Sequence, residues 1–366
     1  MTKNGDSAEE ETLAPQANPH LTGHEAAERL LLSAMQQGRL AHGWLITGPE
    51  GVGKATLAYR LARYLLSGRY GEADLFGAPP ESLAVDSGEA IFHQIAAGGH
   101  PDLIVLGREE NQKTGKLSNF IVIDQVRRLT DRFSMTSGAG GWRIAIVDCA
   151  EEMNLNAANA LLKLLEEPPP RSLLLLVSHA PGRLLPTIRS RCRRLALRPL
   201  SSEQLTGVLA LHRPDLPAED VAGLVQLADG SPGRALSLAR VDGLRTYAEI
   251  QAMLGTLPAL DFNMVHDLAD RLARRGQETA YETWFELFIL ALTRLVRLGV
   301  VAGGAGETSI ERQTSQRLMG LAPLDRWVEL WEKVGDLAAR AESVNLDKKQ
   351  VVFNTFVMLE ATARRA

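Results

Sequence analysis

Residues 48–56 read Gly-Pro-Glu-Gly-Val-Gly-Lys-Ala-Thr. Glycines at this spacing let backbone N–H groups close around phosphate oxygens, and a helix opening at the same point adds positive potential. Lys54 stands where it reaches the outer phosphates of a nucleotide. The chemistry indicated by Gly48, Gly51, Gly53 and Lys54 is therefore phosphate binding; a glycine-rich turn that binds nothing shares only part of the pattern. A Ser or Thr directly after the lysine ligates Mg²⁺ through its hydroxyl, but this chain carries Ala55 there. Thr56 comes one residue later, rotated about 100° around the helix, and substitutes poorly. Nucleotide binding through the loop and Lys54 stays open, while metal placement suffers.

A second group is the apolar run Ile144-Ala145-Ile146-Val147 ending in Asp148. A carboxylate at the end of a buried strand can hold Mg²⁺ through water, and a helix-capping role is the plainer alternative. Many ATPases follow this aspartate with a glutamate that polarises the attacking water. Here Cys149 follows, and Glu151 and Glu152 come later. Two chemical positions are altered in one site, so weak or absent hydrolysis is expected. Cys192 has no partnered histidine in a shaped motif and reads as a buried thiol.

The elements that must position these residues alternate. Strands are predicted at 41–46, 103–106, 120–123, 143–147 and 173–177, with helices at 55–66, 124–133 and 154–167 between them. That order implies an α/β domain with a mostly parallel sheet covered on both faces. Residues 67–99 and 107–119 read as irregular insertions. Beyond about residue 200 no strand is predicted. A small helical unit spans 201–239, and longer helices follow, rich in Trp284, Phe285, Phe288, Trp327 and Trp331. Those apolar faces suit a core and equally an interface.

At 366 residues the chain holds two or three domains of about 100–200 residues each. A net charge of −4 argues against a whole-surface grip on nucleic acid, although Arg189, Arg191, Arg193, Arg194 and Arg198 make a local basic strip. No apolar run approaches the ~20 residues of a membrane span. Residues 1–20 carry Glu9, Glu10 and Glu11, have no leader-like pattern, and are expected to be a disordered tail of a cytoplasmic protein. Two cysteines exclude a disulfide framework and a four-thiolate zinc site.

Four stretches carry a family resemblance. These are residues 148–154 (Asp-Cys-Ala-Glu-Glu-Met-Asn), 157–169 (Ala-Ala-Asn-Ala-Leu-Leu-Lys-Leu-Leu-Glu-Glu-Pro-Pro), 185–192 (Leu-Pro-Thr-Ile-Arg-Ser-Arg-Cys) and 230–236 (Gly-Ser-Pro-Gly-Arg-Ala-Leu). Together with Gly23-His24-Glu25 and His42, they resemble the clamp loader of the bacterial replicative DNA polymerase III, an AAA+ machine. The resemblance is strong over about residues 21–240. Ala55, Cys149, His100-Pro101-Asp102-Leu103 and residues 123–127 resemble its delta prime type of subunit; the alternative is a catalytically active gamma/tau-type motor.

The resemblance implies an AAA+ P-loop domain at 21–199, a helical lid at 200–241 and an all-α collar at 242–366. It implies that Arg191 acts in trans, as an arginine finger on the γ-phosphate in a neighbouring subunit, where a planar guanidinium neutralises spreading charge. A surface arginine in a basic strip is the alternative, and the surrounding arginines are candidates to meet DNA phosphates. Ser178 corresponds to sensor 1 or is a plain strand-end serine. Arg234 corresponds to the sensor 2 arginine of the lid, or pairs with a carboxylate. The implied nucleotide site is Gly48, Gly51, Gly53, Lys54, Thr56, Asp148, Ser178 and Arg234, with ATP/Mg²⁺ held weakly. Implied partners are gamma/tau and delta clamp-loader subunits, with the sliding clamp and primer-template DNA reached through the complex. The family often carries a four-cysteine zinc module in the region matching 67–99. No cysteine lies there, and His93 and His100 alone do not make a site, so no zinc is expected.

Overall fold

Ser172–Ser178 (β4) is a seven-residue strand buried at every position. It lies at the centre of a five-stranded sheet ordered β2-β3-β4-β1-β5, all of whose pairs are parallel. The other strands are Gly43–Thr47 (β1), Leu103–Leu106 (β2), Arg143–Val147 (β3) and Arg193–Ala196 (β5). A central parallel strand is covered on both faces, which is why Leu173 to Val177 runs apolar without alternation. This computed structural model describes residues 14–68, 80–110, 117–134, 141–300, 309–344 and 346–364.

Helices fill the crossovers. Lys54–Leu66 (α2) follows β1, after Glu25–Gln36 (α1) has preceded it, and Ala90–Ala96 (α3) precedes β2. Ile123–Ser134 (α4) buries Val126, Leu129 and Phe133, the spacing of one helical face. Leu155–Glu166 (α5) starts at Asn154, whose side chain accepts the Ala157 N–H at 2.9 Å, a side-chain cap. Pro186–Arg191 (α6) is a short helix opened by its proline.

Three expectations change. The strand predicted at 120–123 is a single bridge between Ile121 and Met153, because Ile123 already begins α4. The sheet gains its fifth strand from Arg193–Ala196, which hides as a strand because three of its four residues are exposed at the sheet edge. Residues 14–20 are held against α2, unlike the solvated tail expected there. Arg63, 2% exposed, donates to the Asn18 and Gln16 carbonyls at 2.8 and 3.3 Å, and Arg60 donates to Pro19 at 2.6 Å. Burial, then the Arg60 charge, brings the Arg63 pKa down to about 10. Residues 1–13 of the expected tail, and 69–79 and 111–116 of the expected insertions, lie outside the described residues.

Packing divides the chain into two compact units, Met1–Val208 with Gly230–Gly233, and Leu209–Asp229 with Arg234–Ala366. The segment expected as a lid, 200–241, is shared between them. The second unit contains Ala218–Leu227 (α8, after Ser202–His212, α7), Pro232–Arg240 (α9, from Arg234 onward), Gly243–Thr256 (α10), Phe262–Ala273 (α11), Glu278–Val300 (α12), Ser309–Leu321 (α13), Leu324–Val344 (α14) and Lys348–Arg364 (α15). Its core is aromatic. Trp284 stacks on Phe288 with centroids 4.9 Å apart, and Phe356 tilts against both. Buried Trp327 donates to the Ala322 and Leu318 carbonyls at 3.1 and 3.2 Å. The apolar face read on α12 is thus used within the unit at Trp284, Phe285, Phe288, Leu292 and Leu295.

In the same unit, Glu311 accepts from Tyr247 Oη at 2.5 Å and from Arg294 Nη1 at 2.8 Å. Arg294 also donates to the Gln226 carbonyl at the end of α8. All three side chains are buried. No helix among the described residues is long and apolar enough to cross a membrane.

Candidate functional site

The loop between β1 and α2 is built by its glycines. Gly48 has φ 153°, and a Cβ there would lie 2.6 Å from the Leu197 carbonyl oxygen. Gly51 and Gly53 take φ 69° and 106°, the left-handed region. The five successive carbonyls from Gly48 to Val52 each have a donor. Lys54 Nζ donates to Gly48 and Pro49 at 2.9 and 2.6 Å. Ser231 Oγ donates to Glu50 at 2.8 Å, the Gly233 N–H to Gly51 at 2.9 Å, and His24 Nε2 hydrogen-bonds Val52 at 2.7 Å. Carbonyls held in this way leave the N-terminus of α2 free to present N–H groups to an anion.

Lys54 is buried, which pushes its ammonium below the ordinary lysine range, while Cys149, Glu151, Glu50 and Asp148 pull it back. Asp148 follows β3, and burial raises its carboxyl despite the Cys149 N–H, which it accepts at 3.1 Å, and the Lys54 charge. Thr47, Asp148 and Ser178 lie at the carboxyl ends of β1, β3 and β4, where open α/β sheets bind ligands. Ala55 presents no hydroxyl, and Thr56 is 8% exposed on α2. Cys149 sits in the left-handed region at φ 51°, its thiol pushed up to about 12 by burial and by Asp148. The residues therefore fit a phosphate and lack the hydroxyl that would seat its metal. Among the described residues, no cluster of three or more His, Cys, Asp and Glu side chains is arranged to hold a metal ion.

Glu151 is 2% exposed at its side chain, and its Oε1 is already occupied. Its Oε1 accepts the N–H groups of His179 and Ala180 at 2.9 and 3.0 Å and lies 2.8 Å from His179 Nδ1. Burial pushes its carboxyl up, but its own N–H, fully buried Ser178 and these backbone donors together hold it below the ordinary value. Arg191 ends α6 at the surface, where Nη2 meets Glu166 Oε1 at 2.7 Å and Nη1 donates to the Thr187 carbonyl at 3.1 Å. Arg234 belongs to the second unit and pairs through Nε with Glu286 Oε1 at 2.8 Å.

Gly48, Gly51, Gly53, Lys54, Thr56, Asp148 and Ser178 are thus gathered in one unit, with Arg191 elsewhere on its surface and Arg234 in the other unit. Sequence reasoning missed three supporting side chains. His24 and Ser231 lie inside stretches already singled out by their resemblance, and Glu166 lies in the Leu-Leu-Glu-Glu-Pro-Pro run. Their partners, 28, 181 and 25 residues away in sequence, give no local signal.

A glycine loop and lysine after β1, an aspartate after β3 and this strand order define a P-loop protein of the AAA+ class. Comparison with known proteins agrees and goes further. The family model described as "DNA polymerase III, delta subunit" matches residues 23–201. The delta' subunit of DNA polymerase III from Pseudomonas aeruginosa is 43% identical over 192 residues, 52% of this chain and 54% of that protein. The Yersinia pestis delta' subunit is 34% identical over 262 residues, 68% of this chain and 71% of that one. The Escherichia coli tau subunit is 28% identical over 332 residues, 85% of this chain and 49% of that one. The chain belongs to the family of DNA polymerase III delta' subunits. It spans about half the length of the Pseudomonas relative.

Proposed function

We propose that this chain is a cytoplasmic clamp-loader subunit of the replicative polymerase, in complex with gamma/tau and delta subunits. It helps to load the sliding clamp on primed DNA, with the clamp and primer-template reached through the complex. In this reading Arg191 completes the ATP site of a neighbouring subunit, the chain's own site is degenerate, and residues 242–366 form the collar that joins the ring.

The observation that carries the reading is the occupation of Glu151. It is the first carboxylate after Asp148, and its Oε1 is committed to the His179 and Ala180 N–H groups. With Ala55 in the metal position and Cys149 directly after Asp148, the hydroxyl ligand and the adjacent carboxylate that hydrolysis uses are both replaced. Lys54 and the preformed loop retain the means to hold a phosphate, so nucleotide binding without turnover is compatible with the same site. Exposed Arg191 is what a neighbour could use, and such fingers supply roughly 10³–10⁵ in rate.

The alternative, a gamma/tau-type motor, draws on the tau relative's 85% coverage of this chain. ATP titration of the purified chain by calorimetry with Mg²⁺, followed by a hydrolysis assay, separates the two. Turnover by the isolated chain comparable to that of an assembled clamp loader would overturn the degenerate reading. For the finger, Arg191→Ala in the reconstituted complex should leave assembly intact and cut ATP turnover; unchanged turnover would remove that role.

A further inference from the structure

Two helix ends meet beside Gly43. The C-terminus of α5 is tied down by His42, whose Nε2 hydrogen-bonds the Leu165 carbonyl at 2.9 Å. A Cβ on Gly43 would lie 2.9 Å from Leu165 Cδ2 and 3.5 Å from Cys192 Sγ, so β1 packs closely against both helix ends. On α6, Ile188 is fully buried, and Cys192, the residue just past its end, is 9% exposed. Glu166 and Arg191, the last residues of α5 and α6, are consequently borne on anchored backbone, with side chains 49% and 37% exposed.

We infer that Glu166 is the positioning residue for Arg191, holding its guanidinium ready for a neighbouring subunit's nucleotide. The inference rests on the proposed trans role of Arg191. A guanidinium has five N–H donors in a fixed plane. Glu166 Oε1 takes one through Nη2 at 2.7 Å, and the Thr187 carbonyl takes another through Nη1 at 3.1 Å. Three donors remain for phosphate oxygens. A free arginine must lose its rotamer freedom when the neighbour arrives, whereas one already held at two points has lost it beforehand. A half-exposed pair of this kind adds little to folding, so the role of Glu166 is read in turnover and not in stability.

The test is a double-mutant cycle in the reconstituted clamp-loader complex with full-length chains. Glu166→Ala should lower kcat for ATP about two- to tenfold, the effect of freeing one long side chain, with KM unchanged. Glu166→Gln, which keeps a hydrogen-bond acceptor, should recover part of the loss. In the Arg191→Ala background, Glu166→Ala should do nothing further. Co-elution of each variant in the complex and an unchanged melting temperature separate positioning from a structural role. If Arg191→Ala lowers turnover while Glu166→Ala does not, or if Glu166→Ala still lowers it without Arg191, the inference is wrong and the finger stands. If Arg191→Ala leaves turnover unchanged, the finger and the inference fall together.

Discussion

Glu151 Oε1 lies 2.8 Å from His179 Nδ1 and accepts the backbone N–H of that same residue at 2.9 Å. The carboxylate thus straps the turn after β3 to the end of β4. Glu151→Ala should cost about 1–3 kcal/mol, because two N–H groups lose their acceptor. The carboxyl is held below its ordinary value of 4.5, so its contribution is complete above that value and is lost as pH falls through the lower folded value. Thermal melts at about pH 7 and pH 3.5 should show a larger drop for the native chain than for Glu151→Gln. Equal drops would show that Glu151 is not charged in this bond.

Gly233 tests how closely residues 230–233 approach the phosphate loop. A Cβ there would lie 2.9 Å from Gly51 Cα and 3.0 Å from the Gly51 carbonyl oxygen, both backbone atoms that give way only if the loop moves. Gly233→Ala should destabilise the first unit by about 1–3 kcal/mol. Ser231→Ala, which removes only the bond to the Glu50 carbonyl, should cost about 1 kcal/mol. Urea unfolding measures both, and an alanine at 233 without cost would contradict the close approach.

Ala55→Ser restores the missing hydroxyl on a loop whose glycines and lysine are otherwise in place. Calorimetry should show ATP affinity gaining a stronger dependence on Mg²⁺ than in the unsubstituted chain. Adding Cys149→Glu should raise hydrolysis less than the chemistry alone promises. The left-handed φ of 51° at that residue sets the direction of its side chain, and Glu151 continues to hold the His179 and Ala180 backbone. High basal turnover in the native chain, unchanged by both substitutions, would sink the degenerate-site reading.

In the helical unit, Arg294→Ala removes the cation from buried Glu311 and a donor from the Gln226 carbonyl. Breaking one side of a buried pair costs about 3–5 kcal/mol. The fluorescence of buried Trp284 and Trp327 reports the loss in denaturant melts. A loss below about 1 kcal/mol would mean the pair is solvated in practice.

The amino-acid sequence alone determined the phosphate loop, the apolar strands β1, β3 and β4, the altered positions Ala55 and Cys149, and the helical character of the C-terminal half. These are local properties. A glycine spacing, an unbroken apolar run or a missing hydroxyl is legible within about ten residues of chain. Edge strand β5 was illegible because exposed arginines there carry no apolar signature, and 120–123 misled because a short apolar stretch suits one bridge as well as a strand. Tertiary structure alone decided what the polar groups were doing. It tied Glu151 to the end of β4, placed Arg234 on Glu286, set Arg191 on Glu166, and brought Ser231 to the Glu50 carbonyl from 181 residues away. Hydrogen bonds and ion pairs depend on distances of about 3 Å between groups far apart in the chain. Only the packing of the sheet and its helices sets those distances.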